Sequence, residues 1–182
     1  MVYIGSELKQ RYDLLKERIT AACQHSGRKT EEVTLVAVTK GFPASAIVEA
    51  HKLGIRHFGE NRVQEASAKF SSLTSLSPRP VWHMVGHLQT NKVKLALQLF
   101  DIIQSVDSLK LADLLNNQAK KRLPVLLEIN TGGENTKLGL KPEKAEDTFN
   151  AIKKLGNLEV RGLMTVAPVV SKLDEARPYF CS

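Results

Sequence analysis

The sequence predicts an α/β fold: a parallel sheet covered by helices, built as a (β/α)8 barrel of which about six of the eight strands are present. Three observations carry this reading. Short apolar runs alternate along the chain with segments of helical periodicity. The runs are almost unbroken, as strands buried on both faces are. The repeats are also similar in size, and no G-x-G-x-x-G follows the first strand. A doubly wound open sheet is the competing architecture, and these last two features weigh against it.

The elements follow in order. Leu8, Tyr12, Leu15, Ile19 and Ala22 recur at three- and four-residue spacing and predict a helix over 6–25, with Ser6 as its cap. TLVAVTK, 34–40, is the first strand. Pro43 suits the first turn of the next helix, and Gly54 ends it. IRHF, 55–58, is a short second strand, and a helix runs from Asn61 to about Ser72. SSLTSLSPRP is a polar loop with two prolines. VWHMVG, 81–86, is the third strand, with a helix from Thr90 to about Leu99. DIIQSV, 101–106, is the fourth, followed by a helix capped by Asp107 or Ser108 that reaches about Lys121. PVLLEIN, 124–130, is the fifth. The loop TGGENTKLGL leads to a helix opened by Pro142 and ending near Leu155. LEVRGLMTV, 158–166, is the sixth strand, and SKLDEARPYFCS starts a last helix.

The totals bound the class. A chain of 182 residues, 42% hydrophobic and 25% charged, is long enough for one domain with a full core. It has no apolar run long enough to span a membrane and no secretory signal, so a cytoplasmic protein is expected. Cys23 and Cys181 are far apart and have no metal-ligand spacing. The net charge of +7 suits an anionic partner. The basic residues are scattered, however, and the one tight run, Lys120-Lys121-Arg122, sits at a helix C-terminus, where cations favour the helix dipole. Aromatic residues are too sparse for base stacking. No nucleic-acid partner is expected, and a basic nucleic-acid-associated protein remains the weakest reading.

In an α/β barrel chemistry collects at the C-terminal ends of the strands. Polar residues gather there: Thr39-Lys40, Gly59-Glu60-Asn61, Trp82-His83, Ser105-Val106-Asp107, Glu128-Ile129-Asn130 and Met164-Thr165. Helix capping accounts equally well for Asn61, Asp107 and Thr90. It does not account for Lys40. A lysine amine at a barrel mouth loses its proton more readily when desolvated, and the neutral amine attacks an aldehyde. Carbonyl substrates and pyridoxal phosphate are the usual partners, and spacing alone leaves both open.

AVTKGFP, HFGENRVQE (57–65), WHMVGHLQTNK (82–92), SVDS (105–108), INTGGENTKLGL (129–140) and GLMTVAP (162–168) occur in one order along the chain. Together they resemble the YggS/PROSC family, the pyridoxal phosphate homeostasis proteins, from the first helix to the end of the chain. The resemblance implies a barrel of the alanine racemase N-terminal type, with pyridoxal 5′-phosphate (PLP) as cofactor, held as a Schiff base on Lys40. It implies intracellular PLP homeostasis without established catalysis, so no catalytic residue and no metal are expected. The family reading implies a monomer that stores the cofactor or delivers it to PLP-dependent apo-enzymes. Asn61 and His83 are candidates for the cofactor's surroundings from their strand-end positions. A hydrogen-bonded core histidine is an equal reading of His83. Lys137 reads as an anion contact or a plain loop lysine. Arg62 stands where the family usually carries an aromatic residue. The rival reading is a PLP-dependent racemase or decarboxylase of the same fold, which would need a second acid–base group.

Family members continue past this point, with a serine- and glycine-rich phosphate loop and strands seven and eight. The chain therefore reads as a single barrel domain, 1–182, truncated before its last βα units. The expectation is weak cofactor binding or none by this chain, and binding through Lys40 in an extended one.

Overall fold

Each apolar run becomes a strand because its alternate side chains have a helical layer to bury against. The computed structural model describes residues 4–133 and 138–181. Within them lie β1 (Val36–Val38), β2 (His57–Glu60), β3 (Val81–Met84), β4 (Ile102–Val106), β5 (Leu123–Glu128) and β6 (Leu158–Met164). All neighbouring pairs are parallel, and the spatial order is the sequence order from β1 to β6. This order decides between the two architectures. A doubly wound sheet reverses its order at a switch point, whereas a barrel winds in one direction. The sheet here winds in one direction, with β1 and β6 at its two ends.

The helices are α1 (Ile4–His25), α2 (Ala44–Lys52), α3 (Val63–Phe70), α4 (Val93–Leu99), α5 (Leu109–Gln118), α6 (Pro142–Ile152) and the short α7 (Pro178–Cys181). From α3 onward each packs on the next, α3 on α4, α4 on α5 and α5 on α6. Phe58, Met84, Ile103, Val125 and Leu127 face this layer and are buried. Trp82 joins β3 to α3: its ring lies 3.8 Å from that of Phe70 and 5.6 Å from that of Phe58. No helix among the described residues is long and apolar enough to cross a membrane. The end strands carry exposed apolar side chains, Val38 on β1 and Leu163 on β6.

Several local expectations shift. α1 begins before Ser6, so Ser6 lies inside the helix. Pro43 is the N-cap of α2 and not its first residue. Gly54 does end that helix, at φ 95°, a conformation that glycine adopts without strain. The β1 ladder covers only Val36–Val38, and β2 extends to Glu60. A 3-10 turn at Thr30–Glu32 carries no apolar pattern and had no sequence signal.

The two GHLQ and GEN segments meet at a backbone contact. A Cβ on Gly86 would lie 2.4 Å from the Asn61 carbonyl oxygen and 2.7 Å from its Cα. Neither atom is a flexible side chain that can move aside. The Gly86 carbonyl in turn accepts a hydrogen bond from Ser105 Oγ at 2.6 Å. Gly86→Ala should therefore destabilise the protein by about 1–3 kcal/mol in urea unfolding. Gly156→Ala is the control, since nothing lies within 4 Å of the added methyl. Equal midpoints for the two variants would show that the contact carries no constraint.

Candidate functional site

The strand pleat sorts the polar residues into two sets. A Cβ on Gly59 would touch Val36, Val38 and Val85, so these four positions share the face away from the helices. Alternation then places Lys40, two residues after Val38, and Asn61, two after Gly59, on that same inner face. His83 also belongs to it, paired in register with Gly59. His83 thus lies on this face within β3, while Lys40 and Asn61 follow the ends of β1 and β2, in a turn and a bend. Lys40 and Asn61 lie beyond the ladder's last pairs, and His83 lies one pleat deeper.

Lys40 is exposed in the turn after β1, and its amine makes no hydrogen bond or ion pair among the described residues. The Asn61 side chain is likewise unbonded among them. Asn61 is not a cap: Arg62 is the N-cap of α3, without a side-chain bond. Of the proposed caps only Ser108 acts, its Oγ accepting from the Leu111 amide at 3.3 Å. Gln89 and not Thr90 is the cap residue of the turn before α4.

His83 is a bonded interior histidine. Its Nε2 lies 3.0 Å from His57 Nδ1, and its Nδ1 lies 3.0 Å from Gln104 Nε2. One proton arrangement satisfies both contacts: the Gln104 amide donates to Nδ1, and His83 Nε2–H donates to His57 Nδ1. That arrangement requires a neutral His83. Burial, helped by the adjacent His57 and opposed by Asp101, lowers its pKa from 6.5 to about 4.

Around the mouth the motifs find partners. His87 Nδ1 lies 3.0 Å from Asp107 Oδ2, joining the GHLQ and SVDS segments. Gly139-Leu140 folds back on the end of β5, where the Leu140 amide donates to the Glu128 carbonyl at 2.7 Å. Lys137 lies outside the described residues. Burial, and then the nearby Asp107, push the Glu128 carboxyl above its ordinary range, while His87 pulls it down. Its Oε2 is buried without a hydrogen-bond partner among the described residues. Such an oxygen calls for a further donor or for its own proton. The largest cavity described, about 830 Å³, lies elsewhere, between Lys94 and Leu97 of α4 and the Lys120-Lys121 segment.

A second set faces the helices. Thr39 Oγ1 donates to Glu60 Oε1 at 2.7 Å, and both residues are buried. Lys69, near the end of α3, donates to Thr39 O and to Glu60 Oε1, each at 2.8 Å. It also pairs with Glu65 at 2.7 Å. Glu65 Oε1 accepts from the Gly41 amide at 2.7 Å. Sequence reasoning placed Glu60 among the strand-end polar residues without a role and missed Glu65 and Lys69. A signal was present: Lys69 continues the buried stripe Val63-Ala66 at three-residue spacing, an unusual place for a cation.

The whole pattern has counterparts. The family model for the alanine racemase N-terminal domain matches residues 11–180. This chain belongs to that family. It is 38% identical over 174 residues to a pyridoxal phosphate homeostasis protein of Aquifex aeolicus, covering 94% of this chain and 75% of the relative. It is 40% identical over 156 residues to the protein of that name in Escherichia coli K12, covering 84% and 67%. PipY of Synechococcus elongatus PCC7942, solved with PLP bound, superposes with a TM-score of 0.73 at 35% identity, over 88% of this chain and 79% of PipY.

The neutral His83 makes a prediction about stability. The unfolded state takes up a proton near pH 6.5 and the folded state only near pH 4. The His83 contribution is thus fully present above the higher value and is lost as pH falls through that window. The loss amounts to roughly 3 kcal/mol. In urea unfolding at pH 7 and pH 4, wild type should lose more stability than His83→Gln by up to that amount. Parallel losses would show that His83 is not held neutral.

Proposed function

We propose that this chain binds pyridoxal 5′-phosphate through Lys40 and serves intracellular PLP homeostasis and not turnover. The observation that carries the reading is the placement of Lys40. Its amine has no partner of its own among the described residues, on the inner-facing side of the sheet, at the end of β1. The polar groups around the mouth fit an aldehyde-bearing, hydrogen-bonding ligand: a free lysine amine, an unbonded Asn61 amide and the buried Glu128 oxygen. PLP supplies an aldehyde for the amine. Asn61 is free to donate to or accept from ring substituents. The buried Glu128 oxygen, on a carboxyl that burial pushes above its ordinary range, is open to a hydrogen bond with a ligand. His83 supports the floor of the site through the His57–His83–Gln104 chain and does not act as a base, because its lone pair at Nδ1 is already engaged.

The relatives' names support a role in PLP homeostasis, and storage of the cofactor or its delivery to PLP-dependent apo-enzymes is the form of that role we propose. The free thiols of Cys23 and Cys181 suit a reducing cytoplasm. A racemase-like activity would need a proton-transferring pair flanking the substrate. The inner-face imidazoles are instead engaged with each other.

The test is reductive trapping. The purified chain is mixed with PLP, reduced with borohydride, digested and mapped by mass spectrometry. The expected result is a pyridoxyl group on Lys40. Lys40→Ala should lose that label and about tenfold or more in apparent PLP affinity, at least 1.4 kcal/mol. Label spread over surface lysines and unchanged by the substitution would overturn the assignment.

A further inference from the structure

We infer that Lys69, with Glu60 and Glu65, is the device that positions Lys40 for cofactor capture. This rests on the assignment of Lys40 above and adds positioning residues to it.

Lys40 sits between two peptide planes. The first contains the Thr39 carbonyl, and the second contains the Gly41 amide. Lys69 Nζ donates to the Thr39 carbonyl at 2.8 Å. Glu65 accepts from the Gly41 amide at 2.7 Å. Lys69 and Glu65 are themselves joined at 2.7 Å. One ion pair therefore holds both planes, its cation on one side of Lys40 and its anion on the other. A peptide unit is rigid, so holding both fixes the direction in which the Lys40 Cα–Cβ bond points. Glu60 completes the clamp, accepting from Lys69 at 2.8 Å and from the Thr39 hydroxyl at 2.7 Å.

The ammonium's three donors match its three acceptors: Thr39 O, Glu60 Oε1 and Glu65 Oε1. Burial works against the charge on Lys69, but the hydrogen bonds from Glu60 and Glu65 outweigh it and raise its pKa. Those contacts also hold the Glu65 carboxyl below its ordinary range, Lys69 contributing most and the Gly41 amide next. The Lys69–Glu65 pair is therefore charged across the neutral range. A buried ion pair is poor glue, since apolar residues of equal volume often serve stability as well. An arrangement that spends a buried cation on a backbone carbonyl beside an otherwise free lysine is better explained by aim. The clamp lies on the helix side of β1 and β2, while Lys40 falls on the opposite face by alternation. The three residues thus act through the backbone and leave the ligand side of Lys40 clear.

The experiment follows Lys40 labelling over time, at several PLP concentrations, in wild type, Glu65→Ala, Glu65→Gln and Lys69→Met. Initial PLP affinity is read separately from the rate constant of bond formation. Glu65→Ala removes the acceptor for Gly41 from a partly exposed side chain, so the fold should persist, with a similar urea midpoint. Its rate constant should fall about tenfold to a hundredfold with initial affinity little changed. Amide hydrogen exchange at Gly41 should speed up. Glu65→Gln keeps an acceptor oxygen and should restore most of the rate. Lys69→Met should lose at least as much as Glu65→Ala; if it fails to fold, the two Glu65 variants decide. Wild-type rates in Glu65→Ala, or equal losses in Ala and Gln, would overturn the positioning role and leave Lys40 as the attachment site. Absence of Lys40 labelling in wild type would overturn both.

Discussion

Lys69 puts a positive charge where α3 meets the sheet, and a charge in that place has to be answered on every side. Glu60 from β2, Glu65 from α3 and the Thr39 carbonyl from the end of β1 answer it. The end of β1 is thereby tied to β2 and α3, some twenty residues further on or more, at the end of the barrel where chemistry is expected. The close approach of Gly86 to Asn61 extends the same end to β3, and Ser105 ties Gly86 to β4. His87 and Asp107 then connect the β3 and β4 loops, which lead to Glu128 on β5. The strand ends form a linked rim in which few polar groups are left over. Those left over include the Lys40 amine and the Asn61 amide, on the inner face.

The two faces of the sheet divide the work. The outer face carries the apolar core and, at its upper end, the charged clamp. The inner face carries the neutral His57–His83–Gln104 chain below and the unengaged polar groups above. Keeping His83 neutral matters for a site above it. An imidazolium could not accept from Gln104, and the chain would need a new arrangement of donors. His83 therefore supplies shape and polarity to the lower layer without offering a proton near neutral pH.

The family strings now have physical content. In HFGENRVQE, Glu60 and Glu65 belong to the clamp, and Gly59 leaves room for Val36, Val38 and Val85 on the inner face. In GHLQ, Gly86 permits the backbone approach and His87 reaches Asp107 of SVDS. Arg62, in the place where an aromatic ring was expected, is exposed at the start of α3.

The alternation of strand and helix, the parallel sheet and the position of Lys40 just after the first strand were legible in the sequence, because each depends on local pattern: apolar runs, helical spacing and a cation ending a buried strand. Element ends were less legible. Asn61 and Thr90 look like caps by type, but capping depends on where the backbone turns, and here it turns one residue away. His83 could not be resolved by sequence at all, since a ligand-facing and a bonded core histidine have the same neighbours along the chain. Only the packing of β2, β3 and β4 brought His57 and Gln104 to its two nitrogens. Lys69 is the extreme case. By sequence it is a cation on the buried stripe of a helix with no partner in view, and its contacts exist only because folding puts Thr39, thirty residues earlier, within 2.8 Å of it. Local order of polar and apolar residues determined the elements and put a lysine at the end of the first strand. Long-range contacts decided which charges meet, because a charge's partner in a folded chain is set by distance in space.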